Sequence, residues 1–115
     1  MHVTLWGMLA LCPVVAALAG ASIEPARAGD AAAGRAEVRA VCQTCHGEDG
    51  KATLVRAGNL SGQQKEYLVE QLRAFRSGSR RNEQMSIIAK SLTDADIENV
   101  SEWYSSIKVT IEVPK

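Results

Sequence analysis

The chain has 115 residues, 13 Lys and Arg against 13 Asp and Glu, and a formal charge of zero. That length holds one ordinary domain, and without a basic excess nucleic acid is not an expected partner. Three Cys, two His and three Met are present, few enough to be followed one by one.

From Val3 to Ala21 the sequence is apolar and rich in small residues, interrupted by Pro13. Ala26-Arg27-Ala28 follows as an A-x-A cleavage site, so residues 1–28 read as a secretory signal peptide removed on export. The flank before the apolar run carries His2 where Lys or Arg is usual. Left uncleaved, the run would act as a membrane anchor, its length being near the lower end of a spanning helix. Cleavage takes Met1, His2, Met8 and Cys12 away, together with one acid and one base, Glu24 and Arg27. Residues 29–115 remain, a single small domain whose core is marginal without a staple. Of the original inventory it keeps only Cys42, Cys45, His46 and Met85.

Asp30 is a good N-cap, and the spacing predicts a helix from Ala31 to about Thr44. Gly34, Val38, Val41 and Cys45 share one face of it at helical period, with Arg35, Glu37 and Arg39 pointing elsewhere. Gly34 lowers helix stability by up to about 1 kcal/mol against Ala; close approach by another helix would account for it.

The helix ends in Cys42-Gln43-Thr44-Cys45-His46. C-x-x-C-H is the attachment signature of c-type haem. Two thiols three residues apart lie on one face of a turn, where both can add to the vinyl groups along one porphyrin edge. His46, four residues from Cys42, can reach the iron as proximal ligand. A zinc site needs four ligands and a second Cys/His cluster, which the mature chain lacks. A thioredoxin-like redox pair needs a βαβ setting, and no strand pattern flanks this motif. The compartment agrees, because an oxidising environment would otherwise pair two free thiols.

Gly47 to Gly62 shows little periodicity and reads as a loop wrapping the haem's proximal side. Gln63 to Ser77 is a second helix with Tyr67, Leu68, Leu72 and Phe75 as its apolar stripe, read as ordinary core. Gly78 is its C-cap, with Arg76 in the last turn suiting the dipole. In Ser79 to Ser91, Arg80 and Arg81 read as a solvated charge pair, and Met85 lies in a segment free to cross the haem's far face. Thr93 and Asp96 form a capping box for a last helix that runs to about Ser106 with Ile97, Val100 and Tyr104 on one face. Lys108 to Lys115 reads as a loosely attached tail.

Taken together, GDAAAGRAEV, CQTCHGEDG, NLSGQQKEYLVEQLRAFRSGSRR, EQM and LTDADIENVSEWYSSI resemble the class I bacterial cytochromes c. The small periplasmic type, also seen as the halves of dihaem cytochrome c-four, is most similar, and the likeness covers nearly all of residues 29–107. The resemblance implies an all-α class I cytochrome c fold over residues 29–107, with residues 108–115 as a tail. It implies first and last helices crossing near Gly34 and Tyr104, one covalently bound haem c, and Met85 as distal iron ligand opposite His46. Two positions depart from the pattern. Gly58 stands where the family has Pro, whose carbonyl orients the haem-binding histidine. Val38 replaces an aromatic at the helix crossing.

The expected function is periplasmic electron carriage rather than enzymatic catalysis. A monomer, or a loosely associated chain, would shuttle single electrons between a dehydrogenase or membrane complex and a terminal oxidase or reductase. Docking is expected near the thioethers and the Met-bearing segment, through Gln43, Thr44, Ser86 and Ile87. Two other readings stand beside it: a haem enzyme or gas-binding protein with an open iron site, and a fixed cytochrome subunit of a dehydrogenase. Met85 discriminates the first, since an open site requires it elsewhere.

Overall fold

The computed structural model describes residues 28–115. Apart from Ala28, the expected signal peptide lies outside the described residues. Helix α1 (Ala31–Glu37) begins where Asp30 predicts, its Oδ1 accepting from the amides of Ala32 and Ala33 at 2.8 and 3.1 Å. The chain runs directly into a π-helical segment (Val38–Cys42) and then α2 (Gln43–His46). α3 (Lys65–Ser77) stops at Gly78, whose φ of 85° lets its N–H reach back to the carbonyls of Ala74 and Phe75. α4 (Met85–Ser91) and α5 (Asp94–Ser106) complete an order with no strand among the described residues.

The buried face of this stretch differs from the prediction at one position. Gly34, Val38 and Cys42 follow one another at i, i+4 and i+8, a spacing that shares one helical face. Val38 is fully buried, and Cys42 rather than Val41 packs on the core. The segment that carries Met85, to which the sequence reading assigns no element, is helical as α4. Asn82 starts it: its Oδ1 accepts from the amides of Gln84 and Met85 at 3.1 and 3.0 Å.

α1 crosses α5, and α3 packs on both α4 and α5. The α1–α5 crossing sits on Gly34, where any Cβ would run into the backbone carbonyl of Asn99. The Asn99 side chain also accepts the Asp30 amide at 2.8 Å. The expected crossing therefore holds at Gly34, facing Asn99 and Val100, with Tyr104 about one turn further along α5. One apolar cluster gathers Val38, Leu68, Val100 and Tyr104, and a second gathers Val69, Leu92 and Ile97; Leu72 touches both. Leu68, Leu72 and Phe75 of the predicted α3 stripe pack inward, and one position differs. Val69 is buried, while Tyr67, at the stripe's edge, is 45% exposed. Only nine apolar side chains are buried among the described residues, which leaves a core of the size that needs a staple.

Polar contacts fix α5 from both sides. Thr93 Oγ1 accepts the Asp96 amide at 3.1 Å and Asp96 Oδ2 accepts the Thr93 amide at 2.8 Å, the predicted capping box. Lys65 reaches Glu98 and Glu102, Arg73 reaches Glu98, and Arg76 reaches Asp94. Residues 108–115 are exposed and irregular, with Val109 lying against Gly62.

Candidate haem site

The π segment and α2 carry the two thiols and the imidazole on successive turns of one continuous helical stretch. Cys42 and Cys45 are free and partly buried. Cys42 packs on Val38, Leu68, Val100 and Tyr104. Burial first, then the charges of Glu37 and Cys45, push its thiol up to about 12. A redox-active C-x-x-C cysteine has the opposite shift, so Cys42 is not built as a thiolate nucleophile. Among the described residues no three His, Cys, Asp or Glu side chains gather to hold a metal ion, which removes the zinc reading.

His46 is partly buried, and its Nδ1 lies 2.7 Å from the Gly58 carbonyl oxygen. A carbonyl can only accept, so Nδ1 carries the proton and Nε2 keeps its lone pair for a metal. Gly58 thus supplies the bond that the family takes from Pro. A side chain there would meet nothing within 4 Å, so the position is set by its carbonyl and not by lack of space.

The loop from Gly47 to Gly62 is folded onto the motif. The Thr53 amide donates to the Cys45 carbonyl at 3.0 Å, and Thr53 Oγ1 donates to the Thr44 carbonyl at 2.7 Å. The Leu60 amide donates to the Gly50 carbonyl at 2.7 Å, and Ser61 Oγ to the Asp49 carbonyl at 2.6 Å. These bonds carry Gly58 back to His46. Gly47 opens the loop at φ 73° and ψ 151°, a region that favours glycine. Tyr104 Oη donates to its carbonyl at 2.9 Å, and Trp103 Nε1 donates to the Glu48 carbonyl at 2.8 Å.

The remaining predicted residue, Met85, is partly buried in the first turn of α4, on a different element from the other three. Arg80 and Arg81 are both exposed, as the reading of solvated charges expects. Arg80 donates to Gln71 Oε1 at 2.6 Å with its guanidinium 4.5 Å from the Phe75 ring centre. Arg81 instead lines a cavity of about 560 Å³ with Phe75, Asn82, Ser86 and Lys90. Sequence reasoning overlooked Trp103 and Glu48. Trp103 is one of two tryptophans in the chain, and its place beside a buried Tyr was the available signal.

This donor set fits a covalently attached haem: two unbridged thiols on one helical stretch and a histidine engaged through Nδ1 alone. The fold and the site define a class, the small helical c-type cytochrome. The family described as "Cytochrome C oxidase, cbb3-type, subunit III" matches residues 29–103, and the chain belongs to it. Cytochrome c4 of Pseudomonas aeruginosa is 36% identical over 84 residues, 73% of this chain and 41% of that protein. Cytochrome c-554(548) of Halomonas halodenitrificans is 39% identical over 82 residues, 69% of this chain and 98% of that protein. The crystal structure of reduced recombinant cytochrome c4 from Pseudomonas stutzeri superposes with a TM-score of 0.66 at 33% identity. The superposition covers 73% of this chain and 48% of that one. The chain therefore spans less than half of the cytochrome c4 relative and nearly all of the smaller cytochrome. The cofactor is haem c, and the fold is the all-α class I cytochrome c fold.

Proposed function

We infer that the chain is an exported, periplasmic single-electron carrier, with Cys42 and Cys45 as thioether anchors, His46 as proximal ligand and Met85 as distal ligand. The observation that carries this reading is the 2.7 Å bond from His46 to Gly58. It fixes the tautomer and orientation that an iron-bound imidazole needs. Bound haem c supplies one-electron exchange between its ferric and ferrous states. The protein's part is to hold it on both faces and to present one edge to partners. Gln43 and Thr44 are exposed, Ile87 is 71% exposed and Ser86 is partly buried. Leu54 and Val55 are exposed on the loop that is bonded to Cys45. Such a neutral, partly apolar face supports brief complexes with modest salt dependence.

The test uses purified reduced holoprotein and membranes that carry a terminal oxidase. Reoxidation should be fast and change little with salt, and the reduced protein should not bind carbon monoxide. Ready carbon monoxide binding would replace the carrier reading with the open-site one. A second reading, a cytochrome fixed to a membrane complex, is supported by the subunit description of the family. Co-purification with such a complex through high salt would select it.

A further inference from the structure

We propose that Trp103 and Tyr104 are positioning residues for the haem-binding histidine, clamping the two peptide units that follow it. The proposal rests on the reading of His46 as proximal ligand. The two residues are neighbours on α5, and their donors reach neighbouring carbonyls. Tyr104 Oη donates to Gly47 at 2.9 Å and Trp103 Nε1 to Glu48 at 2.8 Å. Tyr104 is fully buried, so its bond is shielded from water.

The clamp is closed from the other side by α1 and the π segment. The Glu48 carboxylate accepts Arg35 Nε at 2.6 Å and Arg39 Nη2 at 2.9 Å. Arg35 also lies over the Trp103 ring, 5.0 Å from its centre. Helix, loop and α5 thus form a closed ring of contacts immediately after His46. The hold extends through Asp49, whose carbonyl accepts Ser61 Oγ, to the strip of chain that carries Gly58. Gly47 sits at φ 73° and ψ 151°, a backbone geometry that local preference does not impose. The Gly47 amide donates to the Gln43 carbonyl at 2.9 Å, and its carbonyl accepts the Gly50 amide at 3.2 Å as well as Tyr104 Oη, so α5 adds a tertiary hold to a turn that is also bonded locally. The consequence is that the His46 ring is gripped from both ends, by the Gly58 carbonyl at Nδ1 and by α5 through the next two peptides.

The test is proton NMR of the oxidised holoprotein, where the iron displaces the signals of its axial ligands. Tyr104→Phe, Trp103→Phe and the double variant remove one or both donors and leave an aromatic ring at each position, a smaller one at 103. Lys65→Met serves as control: it cuts the ion pairs from α3 to Glu98 and Glu102 and leaves the loop untouched. In the clamp variants the His46 ring signals should move. Solvent exchange of the His46 Nδ1 proton should quicken about tenfold, the scale set by one lost hydrogen bond. The control should melt lower with His46 signals unmoved. Should Tyr104→Phe and Trp103→Phe melt lower while the His46 signals and Nδ1 exchange stay as in the wild type, the two residues only fill space and the clamp is wrong. A wild-type spectrum with no iron-displaced imidazole signal would sink the ligand reading and the clamp together.

Discussion

Met85 opens α4 with its amide held by Asn82, so its backbone is placed by a cap and not by a loose turn. A thioether favours ferrous iron. Met85→Ala should therefore lower the reduction potential and let carbon monoxide bind, while Met85→His should lower the potential and keep the iron six-coordinate. Redox titration with a carbon monoxide difference spectrum checks both; an unchanged potential in Met85→Ala would rule Met85 out as ligand. Ser101 behaves in the opposite sense. It is fully buried, and its hydroxyl has no hydrogen-bond partner among the described residues. An unpaired buried hydroxyl carries an uncompensated desolvation cost, so Ser101→Ala should raise stability by roughly 1 kcal/mol. A lower melting temperature in that variant would show that the hydroxyl has a partner.

At the level of elements, α5 is the strut against which the haem-bearing helix and its loop are braced, and its N-terminus is sensitive to pH. Side-chain and backbone hydrogen bonds from Thr93 hold the Asp96 carboxyl below its ordinary value. The hydrogen bond from Arg76 does the same for Asp94. A depressed carboxylate contributes stability above its unfolded value and loses it as pH falls through the folded one. Wild-type holoprotein should accordingly melt lower as pH drops from roughly 5 to 3, and Asp96→Asn should flatten part of that slope. A slope identical in the two proteins would clear the capping box of this role. Gly34 shows what an element needs from a residue with no side chain. Its cost to α1 is offset by contact between two helix backbones that no other residue permits.

For the whole molecule, the small buried core makes the haem part of the fold. Two clusters joined through Leu72 leave Cys42 at the boundary of one of them. Haem should survive acid–acetone extraction of the wild type, and Cys42→Ser or Cys45→Ser should lose most of the holoprotein, because the apo-chain has too little apolar interior of its own. Recovery of a stable, cooperatively melting apo-protein from either variant would contradict this. Cleavage after Ala28 is tested by N-terminal sequencing of a periplasmic fraction: Gly29 as the first residue supports it, and recovery of the full-length chain in membranes selects the anchor.

By itself the sequence determined the cofactor and the outline of the helices. C-x-x-C-H is a local chemical requirement, and Asp30, Gly78 and the Thr93–Asp96 pair act over one turn, so each is legible without knowing the fold. The helix crossing was legible only through the family resemblance, because Gly34 alone fits a chance surface glycine as well as a close approach. Tertiary structure decided the rest. Whether Gly58 could replace Pro depended on where a loop of sixteen residues returns, which hydrogen bonds to Cys45, Thr44 and Gly50 settle. Val41 and Cys42 both fit a helical face that starts at Gly34, and only packing against the cluster of Leu68, Val100 and Tyr104 selects Cys42. Tyr67 and Val69 exchanged roles because α3 has two partners and not one. Trp103 and Glu48 lie 55 residues apart, and periodicity cannot see a contact at that separation; only the packing of α5 against the haem-bearing stretch brings them together.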